Sequence, residues 1–390
     1  MISKCLSCDM AANNGRRMHL AVALVAFIAA VTAPFSITHA HDNAKVPPEL
    51  KAMVTSAVDN TIVPAYQFFA DLSGKTTVAT AAWCEKPSED TLDAARKAFA
   101  GSIHAWSRIQ HIRFGPARTD NRWQRVAFLP DPRGVVRRQV SRVLSKRPAE
   151  LLSVDAIAGQ SAALQGLPAV EVLLFASASN ETSEAFKYRC QLAHAIAGHV
   201  ALLAQRMSED WTANDGWRQR LLTPGAENKD YKSANEAAAE LVRSLLTGLQ
   251  VVREEMLLPW LKAAEAKKSW AGLPFERAGL SRDVVATSVL ALHNLHKALH
   301  LDHVVSEVVA KDKEKAWMKG WMSGAYNSLE RDAETLILPS AENGAAAASS
   351  DNIRELKRAR FNCNGLRQII GREIAPASAL TIGFNELDGD

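Results

Sequence analysis

The sequence predicts an all-α protein of two helical-bundle halves packed together. Apolar residues recur at helical spacing along nearly the whole chain, while strand-like alternation bounded by turns is scarce. Helix caps and stop signals punctuate the apolar runs at intervals suited to helices. With 390 residues, 47% of them hydrophobic and 23% charged, the chain can bury two domains or one large one. That composition excludes the low-hydrophobicity, high-charge profile of a disordered protein.

The elements follow in order. "GRRMHLAVALVAFIAAVTAPFSITHAHDN" has the parts of a secretory signal. Arg16 and Arg17 form its basic end, Leu20 to Val31 its apolar stretch, and "THA" its small residues before cleavage near Ala40. The apolar stretch falls short of the ~20 residues a spanning helix needs. Met10 and Met18 offer alternative starts. "PELKAMVTSAVDNTIVPAYQFFADL" reads as a helix kinked at Pro64. "SEDTLDAARKAFAGSIHAWSRIQHIRFGP" has Ser88 as N-cap, acids in its first turn, and Gly115-Pro116 as its stop. "DPRGVVRRQVSRVLSK" and a short helix near "LLSVDAIAGQS" come next. "EAFKYRCQLAHAIAGHVALLAQRMSEDW" closes the first half, so that 1–40 is signal, 41–211 one bundle and 212–390 the other. The second half reads as "SANEAAAELVRSLLTGLQVVREEMLLPWLKAA", then "LSRDVVATSVLALHNLHKALHLDHVVSEVVA" capped by Ser281, then "AWMKGWMSGAYNSLERDAETLIL". An Ala/Ser-rich loop, "PSAENGAAAASSDN", leads to a last helix, "IRELKRARFNCNGLRQIIGREIAPAS".

Removing residues 1–40 takes away three basic residues and one acidic one, lowering the formal charge from +4 to +2. That is too weak for nucleic acid, and aromatics do not interleave with basic clusters. The mature chain keeps Cys84, Cys190 and Cys363, with no CxxC pair for a thiolate zinc site. Export allows one disulfide; Cys84 with Cys190 is chosen on export and chain order alone.

Two stretches carry candidate chemistry. "QGLPAVEVLLF" sets one carboxylate, Glu171, in an apolar run, after Gly166 and a proline suited to a first helical turn. Glu171 is either a solvated first-turn acid or a group pointing into a site. In "HNLHKALHLDHVVSE", His293, His296, His300, His303 and Glu307 fall within roughly an 80° arc of one helix at about 100° per residue. Histidines at i,i+4 can share a metal ion and Glu307 can add an oxygen ligand, although ligands from elsewhere would be required. The alternative is a packed histidine face satisfied by water and carbonyls. In "HAWSRIQHIRFGP", Trp106 and Ile109 read as core, and Arg113 either serves the helix end or pairs with Glu171. No HExxH, GxSxG, P-loop or GxGxxG is present.

Taken together, "IVPAYQFF", "WSRIQHIRFGP", "RWQRVAFLPDPRG", "QGLPAVEVLLF", "YRC" and "IGFNELDGD" resemble the imelysin family of exported bacterial proteins, in the family's order. The resemblance implies an all-α fold of two halves, a periplasmic or surface location, and association with iron uptake. The family's hallmark, Gly-x-His-x-x-Glu, implies a metal or ligand site between the halves. Here it reads Gly166-Leu167-Pro168-Ala169-Val170-Glu171, with proline at the histidine position. Gly166, Glu171 and Arg113 are the implied ligand-binding set, and the His293 to Glu307 face is the candidate source of replacement metal ligands.

Three functions stay open on this reading. One is a non-enzymatic periplasmic protein that binds iron, another divalent metal or an iron-bearing small ligand, working with envelope iron-uptake components. A second is a metal-free envelope binding module. The third is a metallopeptidase with Glu171 as base, which needs an ion with an open position.

Overall fold

Every regular element among the described residues is helical, as the apolar periodicity predicts. The computed structural model describes residues 47–176, 182–267, 273–338 and 344–382. The signal segment with its cleavage near Ala40, and the terminal "GFNELDGD", lie outside the described residues. Among the described residues no helix is long and apolar enough to cross a membrane.

A continuous helix over 48–85 forms the spine of the N-terminal set. It packs along Ser183–Thr212 and against Glu89–Ser107, burying Tyr66, Phe69, Trp83, Phe99, Trp106 and Trp211 between them. Cys84 and Cys190 join two of these helices in a disulfide, with Cα atoms 5.4 Å apart. The C-terminal set consists of 234–265, Ser281–Ala298, Trp317–Thr335 and 350–377. Ser281–Ala298 also lies against Glu89–Ser107, and Pro48–Ala57 against Ala234–Gln250, so the core is continuous through the described chain.

Local sequence explains the starts. Ser88 accepts from the Thr91 N–H while the Thr91 hydroxyl accepts from the Ser88 N–H, a reciprocal capping box. Thr182, Ser233 and Ser349 cap their helices through the side-chain oxygen alone, each accepting from the N–H three residues on. Ser281 does not: its hydroxyl donates to the Pro274 carbonyl at 2.8 Å, and the helix begins without a side-chain cap.

The interruptions differ from the expected ones. Pro64 produces no simple kink; a π-helical turn at Val58–Ile62 precedes it. The same device recurs at Val251–Leu257 before Pro259 and at Ile370–Ile374 before Pro376. A proline inside a helix lacks an N–H and crowds the carbonyl four residues back, and one wider turn relieves both. The helix from Glu89 ends at Ser107, ahead of Gly115-Pro116, because Ile109, Ile112 and Phe114 turn into the core through tight turns. The segment expected to run unbroken to Ala310 stops at Ala298 and restarts at Leu301. Within the Ala/Ser-rich loop, Gly344–Ala347 forms one helical turn.

Candidate functional site

The Glu171 segment is built from two short helices, Ala162–Gln165 and Leu167–Leu174, joined through Gly166. Gly166 is extended, and a Cβ there would stand 2.3 Å from the Val126 carbonyl oxygen and 2.6 Å from that of Arg125. Only a glycine admits this approach of two backbones. Pro168 occupies the first turn of the second helix, which is buried nearly all round.

Glu171 is therefore not a solvated first-turn acid. It is 7% exposed, and its Oε1 accepts from the Ala278 N–H at 3.0 Å. Burial is the strongest influence on its carboxyl and pushes the pKa up from 4.5 to about 7, against the opposing hydrogen bonds from the 277–278 backbone and the charge of Arg277. Glu171, Pro168 and Val172 form one wall of a cavity of about 650 Å³. Phe275, Glu276, Arg277, Asp131, Arg133 and Arg137 line it as well. The size suits a small molecule.

Arg113 is not brought to Glu171. Its guanidinium lies 3.3 Å from Glu255 and stacks 4.6 Å over Trp123, which settles the open alternative in favour of a different partner. Two histidines of the N-terminal set, His199 and His111, are buried. His199 meets Gln165 Oε1 at 3.1 Å, and burial lowers its pKa to about 4. His111 is buried, and burial lowers its pKa to about 3.

The histidine face splits in two. His300 takes a left-handed conformation, φ 51°, between the two helices, so the continuous arc does not form. His293 and His296 turn inward around Tyr326. The His293 ring stacks on Tyr326 at 4.3 Å and its Nδ1 lies 2.6 Å from Glu330 Oε1. His296 is buried, with Nε2 3.3 Å from Asp302 Oδ1 and Nδ1 without a partner; this contact draws the Asp302 pKa down. His300, His303 and Glu307 are exposed, the last two 3.7 Å apart. Among the described residues no three His, Cys, Asp or Glu side chains are grouped to hold a metal.

Sequence reasoning did not single out Arg133, Arg137 and Arg277, nor Tyr326 and Glu330, which sit on a neighbouring helix. The proline and arginine run "LPDPRGVVRR" was the signal available for the first two.

Residues 62–357 match the imelysin model, also termed peptidase M75. The chain belongs to the imelysin family. One curated relative, iron-regulated protein A of Synechococcus elongatus, is 25% identical over 203 residues, 51% of this chain and 52% of that one. The chain thus spans about half the length of this imelysin's curated relative. An imelysin-like protein from Psychrobacter arcticum shares the fold with a TM-score of 0.69 at 20% identity, covering 86% of this chain and 97% of that one. An iron-regulated protein A precursor from Parabacteroides distasonis gives 0.65 at 12% identity, covering 87% and 97%. Against that family, Pro168 leaves the motif's histidine position without a ligand atom, and the residues around Glu171 do not fit a bare metal ion.

Proposed function

We propose that this protein is an exported, non-enzymatic imelysin of iron handling that holds an iron-bearing or other small ligand in the Glu171 cavity. The observation that carries the reading is Glu171 itself, a buried carboxyl at the family's motif position, opening on a cavity of ligand size. The names of its relatives, iron-regulated protein A and a precursor of such a protein, support the iron association and export. The Cys84–Cys190 disulfide suits a periplasmic location, since such bonds persist in oxidising compartments. A metallopeptidase is disfavoured because its ion needs several convergent ligands beside the base, and Glu171 has arginines and a proline as neighbours.

A second reading places a metal ion on His293 and His296, its further ligands coming from the bound species itself, since among the described residues no three His, Cys, Asp or Glu side chains are grouped there. It is favoured by one observation, the unpartnered Nδ1 of buried His296.

Elemental mass spectrometry after dialysis against ferric citrate, copper and zinc separates these readings. Wild type and His293→Ala/His296→Ala should both retain iron, and Glu171→Ala should lose it. Loss in the histidine variant alone would move the site to the second reading. Iron in none of the proteins would leave a metal-free envelope binding module. Chelator-sensitive cleavage of a peptide pool, abolished by Glu171→Gln, would show an enzyme instead.

A further inference from the structure

We infer that the Glu171 cavity takes a small organic polycarboxylate, gripped by Arg133, Arg137 and Arg277 and closed at its floor by Glu171. The inference rests on the reading that this cavity is the ligand site, and it names the ligand's chemical class.

Three arginines line one cavity of about 650 Å³, and among the described residues none of them forms an ion pair. An unpaired guanidinium presents a planar fork of donors that matches a carboxylate in two parallel hydrogen bonds. Two other carboxylates share the rim. Asp131 is committed to the fold, since its two oxygens accept from the Val135 and Val136 N–H groups at 2.8 and 2.9 Å. Glu276 is half-buried. Three arginines thus share the cavity with these two carboxylates, one of them already committed.

The rest of the lining narrows the class. Pro168, Val172 and Phe275 give the cavity an apolar side that a carbon skeleton covers and inorganic phosphate leaves wet. A bare cation is opposed by the arginines and finds no convergent donors. Glu171 completes the fit. Its Oε1 is held by the Ala278 N–H, and in the protonated form the carboxyl donates a hydrogen bond to a ligand oxygen. Once ionised it repels the same oxygen. The charged groups that line the cavity with it are Asp131, Arg133, Arg137, Glu276 and Arg277, and among the described residues no histidine does.

Isothermal titration calorimetry on the full chain tests this with citrate, inorganic phosphate and glycerol as probes. Citrate should bind, phosphate at least tenfold more weakly, and glycerol not at all. Arg137→Ala and Arg277→Ala each alter an exposed side chain, and circular dichroism checks that the fold is kept; each should weaken citrate at least tenfold. Between pH 6 and pH 8 the wild type should lose more affinity than Glu171→Gln, a comparison in which citrate's own titration cancels. Citrate binding unaffected by either arginine variant would overturn the assignment, and phosphate binding as tightly as citrate would overturn the organic part. If no anion binds but an iron ion does, and Glu171→Ala abolishes it, the polycarboxylate falls while the cavity survives as the site. If citrate binds through the arginines yet brings no iron with it, the iron role falls and the polycarboxylate stands.

Discussion

A buried carboxyl and a cluster of arginines meet at Glu171, and its protonation ties the site to the stability of the fold. Its folded pKa of about 7 lies above its ordinary 4.5. The folded state therefore binds the extra proton between those values, and its contribution to stability is fully present below 4.5 and lost as pH rises through about 7. The shift is worth about 3 kcal/mol at most, since one pKa unit is about 1.4 kcal/mol. Glu171→Gln keeps an oxygen for the Ala278 N–H and cannot ionise. Urea unfolding at pH 5 and pH 8 should show the wild type losing about 2 to 3 kcal/mol more than the variant over that interval. Equal losses would mean that the carboxyl is solvated after all. The sequence marked this residue through one acid in an apolar run, but its partner Ala278 lies 107 positions away and donates through its backbone. No side-chain pattern records that contact.

At the scale of the element, the helical segments were legible wherever apolar spacing and caps agreed, as at Ser88, Ser233 and Ser183–Thr212. What failed was continuity. "KALHLDH" contains no glycine or proline to end a helix, and the break at His300 comes from packing. Leu299 and Leu301 are both fully buried. In an unbroken helix, residues two apart point about 200° from one another and cannot both enter the same core. A single left-handed residue between them re-aims the second leucine inward, and it exposes His300, His303 and Glu307 as a consequence. Such a conformation is strained for a side-chain-bearing residue and free for glycine. His300→Gly should therefore raise thermal stability by about 1 kcal/mol, read as an upward shift in Tm. In a continuous helix the same change would cost about 0.5 kcal/mol, so a fall in Tm would sink the break.

Across the whole molecule, the N-terminal set is tied by the covalent link between the two helices that pack most extensively on each other, 48–85 and Ser183–Thr212. The sequence offered three cysteines and chain order, which name a pair but give no geometry. The fold supplies that geometry by laying the helix ends side by side, beside the buried Trp83 and its edge-on contact with Phe186. The bond closes a loop of 106 residues, and in the chain-entropy account a loop of about 100 residues restrains the unfolded state by about 4 to 5 kcal/mol. Cys84→Ser/Cys190→Ser should keep its helical circular dichroism, because the core of Tyr66, Phe69, Trp106 and Trp211 does not depend on the sulfurs. Its unfolding free energy should nevertheless fall by about 4 kcal/mol, and reductant should lower the wild-type midpoint toward the variant's. Cys363 is buried and unpaired, so reductant acting on it adds nothing to that shift. A wild-type midpoint indifferent to reductant, together with an unchanged variant, would mean that the two cysteines are not joined in the folded protein. The support that the disulfide lends to periplasmic export would then be withdrawn, while the Glu171 cavity, built by other residues, would stand.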